Sequence, residues 1–376
     1  MRLRIKKIFI FALFTVSVAA NRPGNDRLWE GIYAFYNYEF NKSVSILSEV
    51  KERHPEHPTV HFTWAVSKWL RAQAYDGIEA SYDTLSASLE KIIPVYDGYV
   101  EQYPEEPEYR LYAAAAKGLK ARVHLGKKEW ISVVREGIKG YSGIRAVHNE
   151  NRELWDTYFP MGILNFYAGE MSGFVRFFAG LIGIEADKAV GIEHMTITAD
   201  KGEFAWIEAS QILVFVYLWM DQDFDNALTI SQQLVERLPK SIYNQHLYTE
   251  SLIRLNRLDD AEANLRLTTE MAEILPSLSI KGWLPTLKYQ DALLSFYRGD
   301  TDRAIKMVTQ SIDEFNTELD TPLGFGYLLR GKIHDMRGDR SLAVRDYRSA
   351  VRLDNYTAAM AEAREYLRRP FAPRVE

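Results

Sequence analysis

The chain contains no cysteine. This absence excludes disulfide bonds, catalytic thiols and thiolate metal sites, and it excludes attachment of a lipid to a cysteine. In an oxidising compartment a chain without thiols cannot form wrong disulfides, so the composition is compatible with export.

A second long apolar run is also lacking, and the single one lies at the N-terminus. Four basic residues occupy the first seven positions, an apolar run covers 8–18, and the small residues Ala19 and Ala20 follow. This layout is typical of a secretory signal peptide. The run is shorter than the ~20 residues that a membrane-spanning helix needs. We therefore expect residues 1–20 to be removed, leaving an exported protein, periplasmic or secreted, without a membrane span.

Negative charges outnumber positive charges in the remaining chain. The formal net charge of the full sequence is −5, and removal of the four basic residues of the signal peptide lowers it to −9. Proteins that bind nucleic acid obtain most of their affinity by neutralising phosphates with lysine and arginine. The charge thus argues against a nucleic-acid partner.

Catalytic motifs are missing as well. The sequence has no phosphate-binding loop, no dinucleotide fingerprint and no His-Glu-x-x-His. The segment Gly140-Tyr141-Ser142-Gly143 lacks the glycine spacing of a nucleophile elbow. We predict that the protein is not an enzyme and has no cofactor.

What the sequence does contain is a helical repeat, clearest over 327–355. Two apolar-periodic segments are joined at Arg337-Gly338-Asp339-Arg340, where Gly338 suits the end of the first helix and Asp339 can cap the second. The residues at the characteristic positions of a tetratricopeptide repeat are Tyr327, Gly331, Gly338, Ala343, Tyr347 and Ala350. Because Gly331 and Ala343 are small, the two helices can cross closely.

The same small contact residues recur along the chain. In the second helix of successive units they are Ala227, Ala261, Ala304 and Ala343. The first interval is the standard 34 residues and the next two are 43 and 39, which indicates insertions. Ala292 faces Ala304, and Gly31 and Ser43 form the equivalent pair in the first hairpin. We predict an all-α, TPR-like right-handed solenoid of about seven to eight helical hairpins.

This solenoid would form a single domain over 21–376 in three sections. Divergent hairpins occupy 21–150, an aromatic and glycine-rich block occupies 151–239, and C-terminal repeats with a capping helix occupy 240–376. In the first section Pro94 predicts a kink or break. Residues 108–125 and 127–139 form a third pair, after which glycines at 137, 140 and 143 are expected to loosen the chain.

The middle block has a characteristic set of residues over 155–240. They are Gly162, Asn165, Phe166, Gly183, Gly191, Ala199, Gly202, Glu208, Ala209, Ala227, Leu234 and Pro239. With these residues the chain resembles a group of exported bacterial tetratricopeptide-repeat proteins, which are similar to the inclusion-body clearance and tetratricopeptide-repeat-protein-39 family. The resemblance implies an α-helical repeat protein without catalytic residues.

An aromatic patch in this block is a candidate binding site for an apolar ligand or a peptide. Its rings are Tyr158, Phe159, Phe166, Tyr167, Phe174, Phe177 and Phe178. Arg176 lies among them and can hold a carboxylate or a phosphate. The alternative is that the rings form core between irregular hairpins while Arg176 reaches solvent by its tip.

Two patterns in the sequence suggest metal binding, and each has a simpler interpretation. His54, His57 and His61 surround a proline-rich connection, and solvated histidines are favoured over zinc or copper, which need three or four converging ligands. Residues 221–226 resemble the start of a calcium loop, but Asn226 stands where glycine is required. A turn with a helix cap before Ala227 is the better interpretation, so we predict no metal site.

Helical-repeat solenoids present a continuous concave groove. The leading hypothesis is therefore an exported scaffold whose concave face, built from the first helix of each hairpin, holds a segment of another protein. The alternative is a binding protein for a small apolar or amphipathic ligand that uses the aromatic patch at 158–184.

Overall fold

The computed structural model describes residues 22–170, 179–180, 183–317 and 319–373. In these ranges the chain forms seventeen α-helices and no β-strand. None of these helices is long and apolar enough to cross a membrane. The proposed signal peptide lies outside the described residues.

The helices follow one another with short connections, and a single 3-10 turn at Trp155–Thr157 precedes the seventh. Their bounds are α1 Asn25–Tyr36, α2 Phe40–Arg53, α3 Val60–Tyr75, α4 Ile78–Gln102, α5 Pro107–Gly126, α6 Trp130–Glu150, α7 Tyr158–Glu170, α8 Lys188–Lys201, α9 Trp206–Trp219, α10 Phe224–Arg237, α11 Ile242–Arg254, α12 Leu258–Glu273, α13 Ser277–Tyr297, α14 Thr301–Asp313, α15 Thr321–Met336, α16 Arg340–Arg352 and α17 Ala358–Arg368.

Consecutive helices pack in pairs, from α1 with α2 to α15 with α16. The described residues thus form eight hairpins, and α17 packs on the last of them as a cap. Within the second half of the chain the first helices of neighbouring hairpins also contact one another, so that α9, α11, α13 and α15 build an inner layer. The prediction of an all-α, TPR-like solenoid of seven to eight hairpins is confirmed.

Small residues lie where the paired helices cross. A Cβ atom added to Gly31 would lie 2.7 Å from the Leu47 side chain, and one added to Gly331 would lie 2.5 Å from the Tyr347 ring. The Ser43 hydroxyl donates a 2.7 Å hydrogen bond to the carbonyl of Gly31. The contact alanines are all fully buried, namely Ala227, Ala261, Ala292, Ala304 and Ala343.

In the middle block, glycines bring the backbones of α7 and α8 together. A Cβ on Gly162 would lie 2.9 Å from the carbonyl oxygen of Gly191, and a Cβ on Gly191 would lie 2.5 Å from the backbone nitrogen of Phe166. Helices whose backbones approach this closely cannot accommodate side chains at the crossing. The glycine content of this block therefore reflects helix packing.

Three glycines have a different role from the one expected of them. Residues 137, 140 and 143 lie inside α6, which continues to Glu150 and does not end near 139. Two of them permit a close crossing, because a Cβ on Gly140 would lie 2.5 Å from the Cα of Gly118 on α5 and a Cβ on Gly143 would lie 2.7 Å from the side chain of Ala114. A Cβ on Gly137 would meet nothing within 4 Å. Likewise, Pro94 does not break α4, which runs on to Gln102.

Capping differs between the repeats. Gly338 has φ +82°, which is the left-handed conformation in which a glycine commonly ends a helix. Asp339 makes no side-chain cap hydrogen bond, contrary to expectation, whereas Asp300 caps α14 by accepting from the backbone of Arg303 at 3.0 Å. Asp223 caps α10 in the same way, which confirms the interpretation of 221–226 as a turn before a helix.

The buried side chains of most hairpins join into one continuous core, which extends from Leu28 to Ala363. The solenoid also curves back on itself, because α13 packs against α3. Trp29 stacks on Phe204 with ring centroids 5.3 Å apart, and Tyr38 lies 6.2 Å from Trp283. The first hairpins thus cover part of the inner layer formed by the later ones.

Candidate functional site

A cavity of about 720 Å³ lies where the first hairpins meet the inner layer. Its walls come from α1, α3, α9, α11 and α13 and from the segment that leads into α15. Most of these elements are the first helices of hairpins, which form the concave side of a helical-repeat solenoid.

Aromatic rings dominate the lining. They belong to Phe35, Tyr36, Tyr38, Phe40, Phe215, Trp219, Tyr243 and Trp283. The rings support one another, since Phe215 and Trp219 on α9 meet edge to face at 5.1 Å. Large rigid rings bury much apolar surface at little entropic cost, which suits a binding wall.

His246 on α11 is packed among these rings. Its imidazole stacks on Trp219 with centroids 5.6 Å apart and meets the edge of Trp283 at 5.7 Å. Burial lowers the pKa of His246 below its ordinary 6.5, although Glu250 and a hydrogen bond with the Gln290 side chain act in the opposite direction. The imidazole is therefore neutral at pH 7, with one nitrogen as donor and the other as acceptor.

Two polar atoms of lining residues have no close hydrogen-bond partner within the described part of the chain. They are Nδ1 of His246 and Oγ of Ser241, and the two residues are 3% and 1% exposed. Buried polar atoms in folded proteins are nearly always paired. Both atoms are enclosed by protein, and the Gln290 side chain interacts with the His246 imidazole, so neither atom is open to a ligand in the cavity.

The mouth of the cavity differs from its interior. Three apolar lining residues are exposed there: Ile78 and Leu278 at 39% each, and Leu319 at 69%. Lys281 is the one charged residue among the described lining residues, and it is also exposed. The site therefore offers an aromatic interior, an apolar rim and a single positive charge.

A buried polar network joins α11 and α13, two of the helices that form the cavity wall. Arg254 donates to Glu250 on the same helix at 2.8 Å and to the hydroxyl of Tyr289 on α13 at 2.9 Å. Gln290 donates to the backbone carbonyl of His246 at 2.8 Å. These bonds hold α11 and α13 together and thereby position His246.

The joint between the first hairpin and α9 contains an acidic group. One carboxylate oxygen of Glu208 is buried, and the hydroxyl of Tyr36, a cavity residue, hydrogen-bonds to this carboxylate. Burial raises the pKa of Glu208 to about 7, despite the opposing effect of that hydrogen bond. Most Glu208 side chains are thus protonated in the folded protein at pH 6.

This pKa predicts a pH dependence of stability. A glutamate with a raised pKa binds its proton more tightly in the folded state, so stability falls as the pH rises from about 4.5 to about 7. We expect Glu208→Gln to be about 2–3 kcal/mol more stable than the wild type at pH 8 and nearly equal to it at pH 4.5. Urea unfolding at both pH values measures this, and an equal difference at both would contradict it.

The aromatic patch expected in the middle block is distributed differently. Tyr158 and Phe166 are buried, Tyr158 against His148 and Phe166 over the α7–α8 crossing, and Tyr167 is 37% exposed. Phe174, Arg176, Phe177 and Phe178 lie outside the described residues. None of the described patch residues lines the cavity: Phe166 packs with Leu213 and Val216 of α9, whereas Phe215 and Trp219 of the same helix line the cavity.

The expectation of solvated histidines at 54–61 is wrong for two of the three. His57 and His61 are buried, because α3 begins at Val60 and packs this connection against its neighbours. The His61 ring contacts the carbonyl of Pro55 at 2.8 Å, and burial lowers the pKa of His57 to about 4. No group of three or more metal-ligating side chains is found within the described ranges.

The fold defines a helical-repeat protein of the tetratricopeptide type. A tetratricopeptide-repeat protein from Parabacteroides merdae is 12% identical over 91% of this chain and 98% of its own, with a TM-score of 0.31. Yeast Tom70 is 11% identical over 96% and 66%, with a TM-score of 0.36. Human IFIT1, solved as a dimer with PPP-AAAA, is 11% identical over 93% and 75%, with a TM-score of 0.41.

At such identities the likeness concerns the fold alone. No known protein family matches the sequence, and no curated protein matches it. The relationship of the middle block to the tetratricopeptide-repeat-protein-39 group therefore stays a prediction.

Proposed function

We propose that the protein is a non-catalytic, exported binding protein whose inner surface holds an apolar segment of a partner polypeptide. The observation that carries the proposal is the aromatic cavity on the concave side. Its volume of about 720 Å³ lies within the ~300–1,000 Å³ of typical ligand sites. It exceeds what one side chain fills, so two or three neighbouring apolar residues of a partner can enter together.

The rim supports a polypeptide as the occupant. Ile78, Leu278 and Leu319 continue the apolar surface outward from the cavity. A chain anchored inside by bulky side chains can thus extend over further apolar contacts as it leaves. Protein interfaces commonly obtain most of their binding energy from a few such buried anchors.

The chemistry of the lining supports binding over catalysis. The described lining residues include no aspartate or glutamate, and Lys281 lies exposed at the rim. General acid–base catalysis commonly places two titratable groups with suitable pKa values around the reacting atoms. His246 by itself does not form such a pair.

Export is part of the proposal and rests on the sequence of residues 1–20. It is supported by the absence of cysteine and by the resemblance of 155–240 to exported bacterial repeat proteins. Single-domain organisation over 21–376 is proposed with it, because most hairpins share a continuous core and the helices between them pack on their neighbours.

A peptide-display selection with a cavity-blocking variant tests the proposal. A Cβ on Gly282 meets only Thr317, at 3.8 Å, so tryptophan at 282 can enter the cavity without a clash at Cβ. A Cβ on Gly98, in α4 and outside the cavity, meets nothing within 4 Å. We expect selected peptides to be rich in bulky apolar residues, to bind Gly282→Trp at least about 100-fold more weakly, and to bind Gly98→Trp normally. Peptides that bind Gly282→Trp as well as the wild type would overturn the proposal.

A small apolar or amphipathic molecule is the second candidate, and the packing of α3 on α13 favours it. This contact covers part of the concave side and leaves room for a short ligand. Native mass spectrometry of the purified protein separates the two candidates. A bound small molecule that Gly282→Trp loses, together with a selection that enriches no peptide, would favour the second.

A further inference from the structure

We propose that Lys51, Lys68 and Lys91 form a binding site for a phosphate-type oxyanion, separate from the cavity and from the function proposed for it. The three lysines belong to three consecutive helices, α2, α3 and α4. Lys51 and Lys68 lie over the indole ring of Trp64, and Lys91 is close enough to Lys68 to act on its charge. None of these residues lines the cavity.

Trp64 holds two of the ammonium groups near each other. Nζ of Lys51 lies 4.7 Å from the centroid of the Trp64 ring, and Nζ of Lys68 lies 4.8 Å from the centroid of the same ring. The two nitrogens are therefore less than about 10 Å apart, which is the distance over which 0.1 M salt screens exposed charges. The indole is buried and donates a 3.1 Å hydrogen bond to the hydroxyl of Ser48, so it forms a rigid support.

The lysine cluster lacks a negative partner. Within the described ranges, no carboxylate forms an ion pair with any of its three members. Exposed lysines nearby do have such partners, since Lys42 on α2 pairs with Glu39 at 2.7 Å and Lys117 on α5 pairs with Asp97 at 2.6 Å. The cluster thus concentrates positive charge in a protein whose net charge is negative.

The effect of this crowding is seen at Lys68. Burial lowers the pKa of Lys68 below its ordinary 10.5, and the charges of Lys91, Lys51 and Arg71 lower it further. Arg71 has a partner of its own in Asp76, at 3.7 Å. A multiply charged anion would relieve the repulsion among the three lysines that have none.

The donor set favours a phosphate over a carboxylate. Each ammonium group offers three N–H donors and no acceptor, so the cluster suits an anion with several oxygens and more than one negative charge. Phosphate and pyrophosphate groups meet both requirements, and lysine commonly binds phosphate as a point charge. A carboxylate has two oxygens and a single charge. The ligand class is therefore a phosphate, either free in solution or carried by a larger molecule such as a lipid.

Isothermal titration calorimetry with inorganic pyrophosphate tests the site. The full chain is titrated at constant ionic strength, with sodium chloride as the balancing salt. We expect the wild type to bind one pyrophosphate, and Lys91→Gln to bind it about 10-fold more weakly because hydrogen bonds between charged groups are lost. Lys42→Gln is the matched control, because it also removes an exposed lysine, and it should bind pyrophosphate as the wild type does.

Thermal unfolding gives a second measurement, followed by circular dichroism. Without a multivalent anion, Lys91→Gln relieves repulsion and should melt at or above the wild-type temperature at low salt. Pyrophosphate should then raise the melting temperature of the wild type more than that of the variant. A variant that melts well below the wild type without pyrophosphate would show that Lys91 has a structural role instead.

Vesicles distinguish the two sources of phosphate. Flotation with phosphatidylglycerol vesicles that Lys91→Gln abolishes would identify a lipid headgroup, and pyrophosphate binding without flotation would identify a soluble phosphate. The site is overturned if Lys91→Gln changes neither kind of binding, or if Lys42→Gln weakens them as much. Gly282→Trp should bind pyrophosphate normally, and a loss of binding in that variant would place the anion in the cavity.

Discussion

Replacing Arg254 with methionine is expected to destabilise the folded protein by about 3–5 kcal/mol. Arg254 is almost fully buried and lies beside Glu250, which is entirely buried. Removing one partner leaves an uncompensated charge in the interior, which is the costly way to break an ion pair. Burial alone would lower the pKa of Arg254, but the fields of Tyr289 and Glu250 raise it above its ordinary value, so the guanidinium stays charged.

A double-mutant cycle distinguishes the cost of the unpaired charge from the loss of packing. Arg254→Met with Glu250→Met removes both charges, and we expect this double variant to recover at least about 2 kcal/mol relative to Arg254→Met alone. The control is Arg257→Met, which breaks the exposed pair with Asp260 and should cost less than about 1 kcal/mol. Urea unfolding followed by circular dichroism gives the values. Equal costs for Arg254→Met and Arg257→Met would contradict the prediction.

The second large effect is expected at Gly140, where alanine should destabilise the protein by about 3 kcal/mol or more. The added Cβ would lie 2.5 Å from the Cα and 2.8 Å from the backbone nitrogen of Gly118. Both are backbone atoms, so relief requires α5 and α6 to move apart. Ala114, whose carbonyl oxygen would be 3.1 Å away, limits movement on the same side.

Gly137→Ala provides the matched comparison in the same helix. A Cβ at 137 meets nothing within 4 Å, and alanine is favoured over glycine inside a helix by about 0.5–1 kcal/mol. The two substitutions should therefore shift the urea midpoint in opposite directions. A shift of the same sign for both would show that the α5–α6 crossing does not depend on Gly140.

Local pattern was sufficient for the repeat architecture. Gly331, Ala304 and Ala343 lie at close crossings because each hairpin is formed by residues near one another in sequence. Periodicity and residue size report such local contacts directly. The same reasoning failed at Gly140 and Gly143, because residue identity does not distinguish a glycine that permits a close helix crossing from a glycine that ends a helix.

The cavity was less accessible to sequence reasoning. A signal was present in aromatic residues on the first helices of four hairpins, such as Tyr36, Trp219, Tyr243 and Trp283. Those residues are spread over nearly 250 positions, and no spacing rule joins them. The contiguous aromatic run around 158–178 was therefore the more visible candidate, although Phe166 there is core.

The sequence by itself determined paired helices meeting at small residues, because these contacts are local and each helix shows its buried face in its own periodicity. Only the tertiary structure decided that α3 returns to α13 and that an aromatic cavity forms between them. The physical reason is that small rotations between successive hairpins accumulate along a solenoid. Their sum brings together residues about two hundred positions apart, which no local pattern records.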